Sequence, residues 1–402
     1  MPDPQIATAD RPAAHPFVVA LIAFFTLVDL FATQAILPLL AHRYGASPGV
    51  IGVAVNASTF GMAIGAFATA VFGRTLDRGV GIRSSLVLLA APTALLALAP
   101  NLAVFAALRV AQGLCMSTAF TLMLAYLGDV SPVTARATRF AAYISGNVAS
   151  NLFGRMIAAY AAGMLGVTWN FVLFCGLNLL GAVLASRTIR CNRRPSAGPE
   201  RLSEQLAAVV RVLGNRSALF GLGVGFCILF AFIGVFSYVN FVLMAPAFGL
   251  SMMSLGGVYL VFLPSLLTTT AAGVITVRIG ARNALWLGLA TAGVGLALLA
   301  ASKLTALLIG LSLVGVGTFF AQAAATGYVS QASPPETRSV ASGLYLAAYF
   351  SGGLVGAAVV GEVFEVAGWI ASLEVVGVFL GLAAALGLGF GPARAVAVPE
   401  VR

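Results

Sequence analysis

The sequence predicts an all-α polytopic membrane protein, because three observations point away from a water-soluble chain. Of the 402 residues, 60% are hydrophobic and only 8% are charged, whereas a typical globular chain is about 45–50% apolar and about 25% charged. The mean hydropathy is +1.02. Apolar runs long enough to cross a bilayer recur along the whole chain. This composition excludes a disordered chain and an ordinary soluble enzyme, and it makes the lipid bilayer the expected partner.

Twelve mostly apolar spans can be distinguished between Pro, Gly and charged residues, each near the ~20 residues that a helix needs to cross a bilayer. They cover residues 16–40, 49–72, 85–99, 101–128, 138–162, 165–187, 217–244, 251–276, 283–301, 303–328, 338–361 and 367–390. The third and ninth spans look short. The polar N-terminal segment has no basic region ahead of a cleavable apolar stretch, so the first span is predicted to be a retained helix.

The 22 basic residues are unevenly divided between the two sides that alternating spans define. With the N-terminus inside, 18 of the 22 lie in inner segments, and the outer loops hold only Arg43 and Lys303. Cytoplasmic loops of multi-spanning proteins carry the excess of Arg and Lys, so both termini are predicted to be cytoplasmic. The net charge of +10 is therefore a topology signal, and no nucleic-acid partner is expected.

The longest inner segment divides the chain into two sets of six spans. The predicted order is a cytoplasmic tail, an N-terminal six-helix bundle, a cytoplasmic linker, a C-terminal six-helix bundle and a second tail: 1–15, 16–187, 188–216, 217–390 and 391–402. In the linker, apolar residues recur at helical spacing opposite charged ones: Leu202, Leu206, Val209 and Leu213 opposite Arg201, Glu204 and Arg211. This pattern predicts an amphipathic helix at the cytoplasmic membrane surface, serving as a tether or as a binding element.

The two halves also share residues at a nearly constant spacing. Gly113, Tyr126, Ser131, Pro132, Arg136, Tyr143, Leu152 and Gly154 match Gly315, Tyr328, Ser333, Pro334, Arg338, Tyr345, Leu354 and Gly356. In the preceding loops, Gly73 and Arg78 match Gly273 and Arg278. The repeated Ser-Pro-x-x-x-Arg ahead of matching spans predicts two pseudo-symmetric halves with a cavity between them.

Three ionisable residues lie inside the spans of the first half: Asp29, Arg109 and Arg155. Such a residue at mid-membrane costs at least ~2.5–3.5 kcal/mol on insertion scales, so it usually faces a cavity and is paired. At about 1.5 Å per residue, Asp29 lies about 20 Å and Arg155 about 25 Å from the inner face, and Arg109 about 12 Å below the outer face. At this similar depth they are predicted to share charge-assisted hydrogen bonds. A static packing clamp is the alternative.

The fifth span carries a polar stripe, which predicts that one of its faces lines the cavity, because lipid does not tolerate such a face. Its residues recur four apart: Tyr143, Asn147, Asn151 and Arg155. The counterpart in the second half begins with Tyr345 and Tyr349, which are uncharged. Weaker lining candidates, each equally well explained by a hydrogen bond between helices, are Gln34, Asn56, Tyr238, Asn240 and Gln322.

Other residue types exclude several chemistries. Lys303 is the only lysine, so the chain has no phosphate-binding G-x-x-x-x-G-K-[ST] sequence for ATP hydrolysis. The four cysteines lack metal-ligand spacing, and no His/Cys/Asp cluster suggests catalysis. No enzyme activity, cofactor or metal is therefore expected. The acidic residues near the outer ends of the last two spans are interpreted as surface residues, with a gating role as the alternative: Glu362, Glu365 and Glu374.

The loop between the second and third spans reads Gly73-Arg-Thr-Leu-Asp77-Arg78-Gly-Val-Gly81-Ile-Arg83. It is similar to the G-x-L-x-D-R-x-G-R-R signature of the major facilitator superfamily, although Thr75 replaces the usual Leu and one residue is inserted before the second Gly. The resemblance implies a cytoplasmic charge latch that holds the outward-facing state, formed here by Gly73, Asp77, Arg78, Gly81, Arg83 and Arg136. Asp77 is expected to accept from Arg83 or Arg136 and from a helix N-terminus.

The fourth span's Leu108-Arg109-Val-Ala-Gln112-Gly113 resembles the R-x-x-Q-G motif of the same family, which implies a role for Arg109 in proton coupling. The span from Tyr143 to Arg155 is similar to the YnfM-like branch of drug:proton antiporters, but it lacks their typical Gly-Pro pair. The resemblance covers the chain nearly end to end. It implies two bundles that rock about a central site, a monomer, and a bacterial inner-membrane location.

The predicted function is secondary active transport of a small molecule by alternating access, as proton-coupled export of a drug or metabolite. Asp29 would bind the proton, and Arg109 would modulate the pKa of Asp29. A nearby guanidinium favours the ionised carboxyl group, whereas burial disfavours the ionised form. Substrate that displaces this pairing would make proton and substrate binding mutually exclusive. The alternative is uptake or exchange of an organic anion on Arg155, because the cavity has two Arg against one Asp.

Overall fold

The structure is a computed structural model that describes residues 15–73, 77–131, 133–189, 202–334 and 336–391. Every regular element in these ranges is a helix. In chain order the helices are α1 (Pro16–Ala35), α2 (Leu37–Tyr44), α3 (Pro48–Phe72), α4 (Arg78–Leu96), α5 (Leu102–Val130), α6 (Val133–Leu165), α7 (Val167–Thr188), α8 (Leu202–Leu213), α9 (Arg216–Met244), α10 (Met252–Val258), a 3₁₀ turn (Tyr259–Phe262), α11 (Leu263–Ile279), α12 (Ala281–Leu299), α13 (Leu304–Ala332) and α14 (Arg338–Gly387).

Nine helices in the described ranges are long and apolar enough to cross a membrane. One of them, α14, holds two spans, because Gly368 (φ 79°, ψ −171°) interrupts its 50 residues. α10, the 3₁₀ turn and α11 form one broken span, and α6 is a 33-residue helix whose polar stripe lowers its hydropathy. With these three additions the chain has the twelve spans that the sequence predicts. It is an all-helical, multi-pass membrane protein.

Helix ends differ from the predicted spans for local reasons. The predicted span 16–40 is two helices, because the backbone breaks at Ile36 (φ −100°, ψ 16°) and Pro38 follows within the first turn of α2. The short third span extends back to Arg78, because the Asp77 carboxylate accepts a hydrogen bond from the Val80 backbone N–H at 3.0 Å and caps α4. Arg78 and Arg83 therefore lie in the first turns of a helix.

Within each half, glycines allow equivalent helix pairs to approach closely. A Cβ on Gly113 of α5 would lie 1.9 Å from the Ser58 carbonyl oxygen of α3. The α1–α6 pair approaches at Gly146, and the corresponding α9–α14 pair approaches at Gly352, where a Cβ would lie 2.0 Å from the Ala20 and Phe226 carbonyl oxygens respectively. Small residues at such contacts let helix backbones pack tightly in a membrane, and they give the α1–α6 and α9–α14 pairs the same close approach.

The two halves meet along two helix seams. α3 packs along α14, with the Gly49 backbone N–H donating to the Glu365 carboxylate at one end and Gly343 against Ala70 at the other. α6 packs along α10, the 3₁₀ turn and α11. Side chains that point into these seams from α1, α6 and α9 can therefore be reached from both halves.

The predicted amphipathic helix is α8, and it contacts α3, α9 and α14. Val209 and Val212 are buried on this contact, whereas Leu206, Val210 and Leu213 are exposed. The prediction placed Leu206, Val209 and Leu213 on one face; instead the helix has one apolar face toward the protein and another away from it. Residues 1–14 and 392–402 of the tails and residues 190–201 of the linker lie outside the described ranges.

Candidate functional site

The carboxyl group of Asp29 is held among uncharged donors inside the first half. Asp29 is 2% exposed on α1. Its Oδ2 accepts from the Asn178 side-chain amide of α7 at 2.6 Å and from the Thr93 hydroxyl of α4 at 3.0 Å. Gln112 of α5 donates to the same Thr93 oxygen at 2.6 Å. The acid is thus hydrogen-bonded without a direct ion pair.

Arg109 lies beside this group and ties three helices together. Its Nε donates to the Val55 carbonyl of α3 at 2.8 Å, and its Nη2 donates to Ser58 at 2.9 Å. Its Nη1 donates to Gln112 at 2.7 Å and to the main-chain carbonyl of Asp29 at 3.2 Å. Arg109 is fully buried. The guanidinium therefore contacts the backbone of Asp29 and acts on its carboxylate through the electric field.

Arg155 occupies a different place, at the seam between the halves. Its Nε donates to the Asn151 side-chain oxygen at 2.8 Å, and its Nη2 donates to Gln34 Oε1 at 2.5 Å. Four aromatic rings surround the guanidinium carbon at 5.4–5.7 Å, and we call them the aromatic cage: Phe31, Phe236, Tyr259 and Phe262. Arg155 is 0% exposed. No carboxylate of the described residues lies within ion-pair distance of it.

Amide side chains link the Arg155 site across the seam. Gln34 of α1 donates to the Asn56 side-chain oxygen of α3 at 2.7 Å. Asn240 of α9 donates to the Gln34 main-chain carbonyl at 3.0 Å, and Tyr259 donates to the Asn240 side-chain oxygen at 2.9 Å. We call Gln34, Asn56, Asn240 and Tyr259 the amide bridge. The amide bridge joins the two halves next to the buried guanidinium of Arg155.

The structure corrects the prediction that Asp29, Arg109 and Arg155 share one set of hydrogen bonds. The sequence predicts how deep each residue lies in the membrane, but not the direction in which its side chain leaves the helix axis. Asp29 and Gln34, five residues apart on α1, are rotated by about 140° at 3.6 residues per turn. Asp29 therefore faces α4 and α7, whereas Gln34 faces Arg155 on α6.

The polar stripe on α6 also divides. Steps of four residues drift by about 40° each, so Tyr143 and Arg155 point about 120° apart. Tyr143 packs against Phe120 and donates to its carbonyl at 3.3 Å, away from the aromatic cage. Asn147 and Asn151 lie nearer to Arg155 along the helix. Each leaves one buried polar atom without a hydrogen-bond partner, Asn147 Oδ1 and Asn151 Nδ2.

The other predicted lining residues lie on helices of the second half: Tyr238, Gln322, Tyr345 and Tyr349. Tyr238 donates to the Ala357 carbonyl and fills the close approach of α3 and α14, next to Gly52. Tyr345 and Tyr349 are buried and stack with ring centres 6.1 Å apart, and Tyr345 lies against Gly225 of α9. Gln322 is only partly buried, and its main-chain carbonyl accepts from Thr326.

The predicted latch has an ion pair that the sequence argument missed. The Arg78 guanidinium contacts the Asp129 carboxylate and donates to the Ala125 carbonyl at 2.8 Å, which joins α4 to α5. Asp77 caps α4, and Arg83 donates to the Gly79 carbonyl at 3.2 Å. Gly81 faces Leu122 so closely that a Cβ would lie 2.4 Å away. The Arg136 side chain lies outside the described part of the chain.

The second half has no carboxylate at the equivalent positions. By the spacing that relates Gly73 to Gly273, Asp77 corresponds to Val277, which is 85% exposed. By the spacing that relates Ser131 to Ser333, Asp129 corresponds to Gln331. The charged contact is thus particular to the first half.

The two latch acids are expected to respond differently to the same substitution. Asp129→Asn is expected to cost about 0.2–1 kcal/mol, because the ion pair with Arg78 is partly exposed. Asp77→Asn is expected to cost almost nothing, since Asn caps helices as well as Asp does, whereas Asp77→Ala is expected to cost about 0.5–2 kcal/mol. Thermal unfolding of the purified variants measures this series. An equal loss for both Asp77 variants would show that the cap is unimportant.

Seven contact residues around these charges were missed from the sequence: Phe31, Ser58, Thr93, Asn178, Phe236, Tyr259 and Phe262. Asn178 carried a usable signal, because it is an amide in the middle of an apolar span, like Asn147 and Asn151 of the α6 stripe. The three phenylalanines carried none, because the chain has 27 phenylalanines that sequence alone does not distinguish.

Two helical halves with buried polar networks inside and between them define a multi-span membrane carrier. The chain belongs to the major facilitator superfamily, whose family model matches residues 19–263 and 258–401. The family resemblance and the fold class predicted from the sequence are thereby confirmed. The chain is a transporter for secondary transport across a membrane, and it is not an enzyme.

Curated relatives and solved structures agree with this assignment. The chain is 26% identical over 349 residues to the inner membrane transport protein YnfM of Escherichia coli (strain K12), covering 86% of this chain and 82% of that protein. It is 22% identical over 387 residues to an uncharacterized MFS-type transporter, YybF, of Bacillus subtilis (strain 168), covering 94% and 93%. A bacterial homolog of the human lysosomal transporter Spinster, solved inward-facing and occupied, matches with a TM-score of 0.73 at 15% identity, covering 93% and 95%. The nucleoside transporter NupG matches with a TM-score of 0.71 at 15% identity, covering 93% and 98%.

Proposed function

We propose that this transporter couples the export of a small molecule to the entry of protons, with Asp29 as the group that binds the proton. The observation that carries the proposal is the carboxyl group of Asp29, which is buried and accepts hydrogen bonds from the uncharged donors Asn178 and Thr93. A carboxyl group in such a place can hold or release a proton without breaking an ion pair. The direction of transport is supported by the resemblance to drug:proton antiporters.

The coupling runs along α1 in this proposal. Asp29 and Gln34 lie on the same helix, and Arg109 holds the Asp29 main chain against α3 and α5. A change of proton occupancy at Asp29 alters its bonds to α4 and α7, and a change at Gln34 alters the seam to α9. Proton and substrate thereby influence each other through the position of one helix, without direct contact.

The proposal also covers membrane placement. The distribution of basic residues supports cytoplasmic termini, and YnfM, by its name, is an inner membrane transport protein. We therefore propose an inner-membrane monomer whose N-terminal bundle, linker and C-terminal bundle follow the boundaries 16–187, 188–216 and 217–390.

The test starts from a thermal-shift screen of organic cations and anions on the detergent-purified protein. A ligand at 100 times its dissociation constant stabilises the folded state by about 2.7 kcal/mol, which such a screen detects. Hits are then assayed in proteoliposomes with and without a pH gradient. We expect the gradient to accelerate flux in the wild type at least tenfold, and Asp29→Asn to lose that acceleration while retaining substrate-for-substrate exchange.

Asp129→Asn is the matched control, because it removes a carboxylate that faces Arg78 and lies away from the Asp29 network. It is expected to keep the response to the pH gradient. Flux that ignores the gradient and is equal in the wild type and in Asp29→Asn would refute proton coupling.

A second candidate, uptake or exchange of an organic anion, is favoured by Arg155, which has no carboxylate partner among the described residues. The same proteoliposome assay separates the two candidates. Exchange without net pH-driven export, limited to anions, would replace the first proposal by the second.

A further inference from the structure

Arg155 is the buried charge that its surroundings compensate least. Asp29 lies within electrostatic reach of Arg109, whereas Arg155 has only neutral oxygens and ring faces around it. Removing a charge from water is energetically unfavourable, and buried charges in proteins are therefore normally paired with an opposite charge. Amide oxygens and cation–π contacts offset part of this cost. An anion brought in by a ligand would offset the rest.

A second donor stands beside the guanidinium. Asn151 must turn its side-chain oxygen toward Arg155 Nε, which donates to it at 2.8 Å. In this orientation the amide nitrogen of Asn151, Nδ2, points away from Arg155 Nε. Nδ2 is buried and has no hydrogen-bond partner. Buried donors are nearly always satisfied in proteins, so an exception needs an explanation. A carboxylate has two acceptor oxygens, which suit a guanidinium N–H and a nearby amide N–H.

The aromatic cage indicates what the rest of the ligand is like. Phe31 comes from the first half, whereas Phe236, Tyr259 and Phe262 come from the second. All four rings are at least 94% buried, and they offer apolar faces and edges around the charged centre. Such a lining suits an aromatic or aliphatic group of the ligand. A second charge on the ligand would find no partner there, so a ligand with a single charge is favoured.

We propose that Arg155 and Asn151 bind the carboxylate of a monoanionic organic acid whose apolar body lies in the aromatic cage. The carboxylate replaces Gln34 Oε1 as the acceptor of Arg155 Nη2. Gln34 belongs to the amide bridge, so its release loosens a contact between α1 and the second half. The inference rests on the proposed transport function, for which it names the substrate class. It holds for either direction of transport.

The test measures binding by the full-length protein in detergent, without a gradient. The probes are benzoate, 4-phenylbutyrate and hexanoate, with benzamide and benzylammonium as the neutral and cationic counterparts of benzoate. We expect at least one of the three carboxylates to raise the melting temperature with a saturable dose dependence, and the two counterparts to leave it unchanged. Absence of a shift with all three carboxylates, or equal shifts with benzamide, would overturn the inference.

Variants locate the binding site. Arg155→Gln is expected to weaken carboxylate binding at least 100-fold, and Asn151→Leu about tenfold, whereas Arg43→Gln removes an exposed arginine and is expected to bind normally. Arg155→Lys keeps the charge and provides a folded comparison if Arg155→Gln does not fold; it is expected to bind at least tenfold more weakly than wild type, because an ammonium lacks the planar fork. Wild-type affinity in either Arg155 variant would contradict the assignment.

The binding and flux measurements test the carboxylate site and the proton coupling independently. Carboxylate binding that depends on Arg155, together with flux that ignores the pH gradient, would retain the inference and reject proton coupling. Proton-coupled flux of a cation without carboxylate binding would do the reverse.

Discussion

Arg109→Lys is expected to destabilise the protein by about 2–6 kcal/mol, although the substitution keeps the positive charge. The guanidinium donates to four acceptors on three helices: Asp29 O, Val55 O, Ser58 Oγ and Gln112 Oε1. A lysine ammonium carries its donors on one atom and cannot reach all four positions. At least two buried acceptors then lose their partners, at about 1–3 kcal/mol each.

Thermal unfolding in detergent measures this loss, with Arg43→Lys as the control. Arg43 is exposed and donates to the Ala97 carbonyl at 3.1 Å, so its replacement is expected to cost less than about 0.5 kcal/mol. Similar melting temperatures for the two variants would show that the charge of Arg109, rather than its four bonds, is what the structure needs.

Gly113→Val is expected to prevent the first half from packing, so that little folded protein is recovered. A Cβ at this position would lie 1.9 Å from the Ser58 carbonyl oxygen and 2.8 Å from the Met62 backbone nitrogen. Both atoms belong to the backbone of α3 and cannot turn aside as a flexible side chain does. The two helices must separate, which also pulls Ser58 away from Arg109.

Gly128→Val is the matched control, because Gly128 lies on the same helix and a Cβ there meets no atom within 4 Å. Size-exclusion chromatography and yield after membrane extraction compare the two variants. A monodisperse Gly113→Val protein with the wild-type melting temperature would refute the close approach of α3 and α5.

The twelve spans were predictable from the sequence because each is a long apolar run, and lipid imposes the same demand on every span. Two places escaped this reasoning. The first predicted span breaks at Ile36, and the eighth tightens to a 3₁₀ turn at Tyr259–Phe262. Hydrophobicity alone carries no information about such a break.

The buried charges of the site were predictable, and their partners were not. Asp29, Arg109 and Arg155 stand out because each is expensive in a membrane. Their partners depend on the angle at which each side chain leaves its helix, and on helices that are distant in sequence. Asn178 is 149 residues from Asp29, and Asn240 is 206 residues from Gln34. A spacing rule within one helix does not reach across such distances.

The ion pair between Arg78 and Asp129 makes the corresponding helix movements of the two halves energetically different. A movement that separates α4 from α5 at this end must pull apart opposite charges, whereas the matching movement in the second half meets Val277 and Gln331 and breaks no such attraction. Salt in the surrounding water screens the attraction between Arg78 and Asp129, and therefore makes the first movement easier. The two halves therefore share a shape, whereas this ionic contact, with its sensitivity to ionic strength, belongs to the first half.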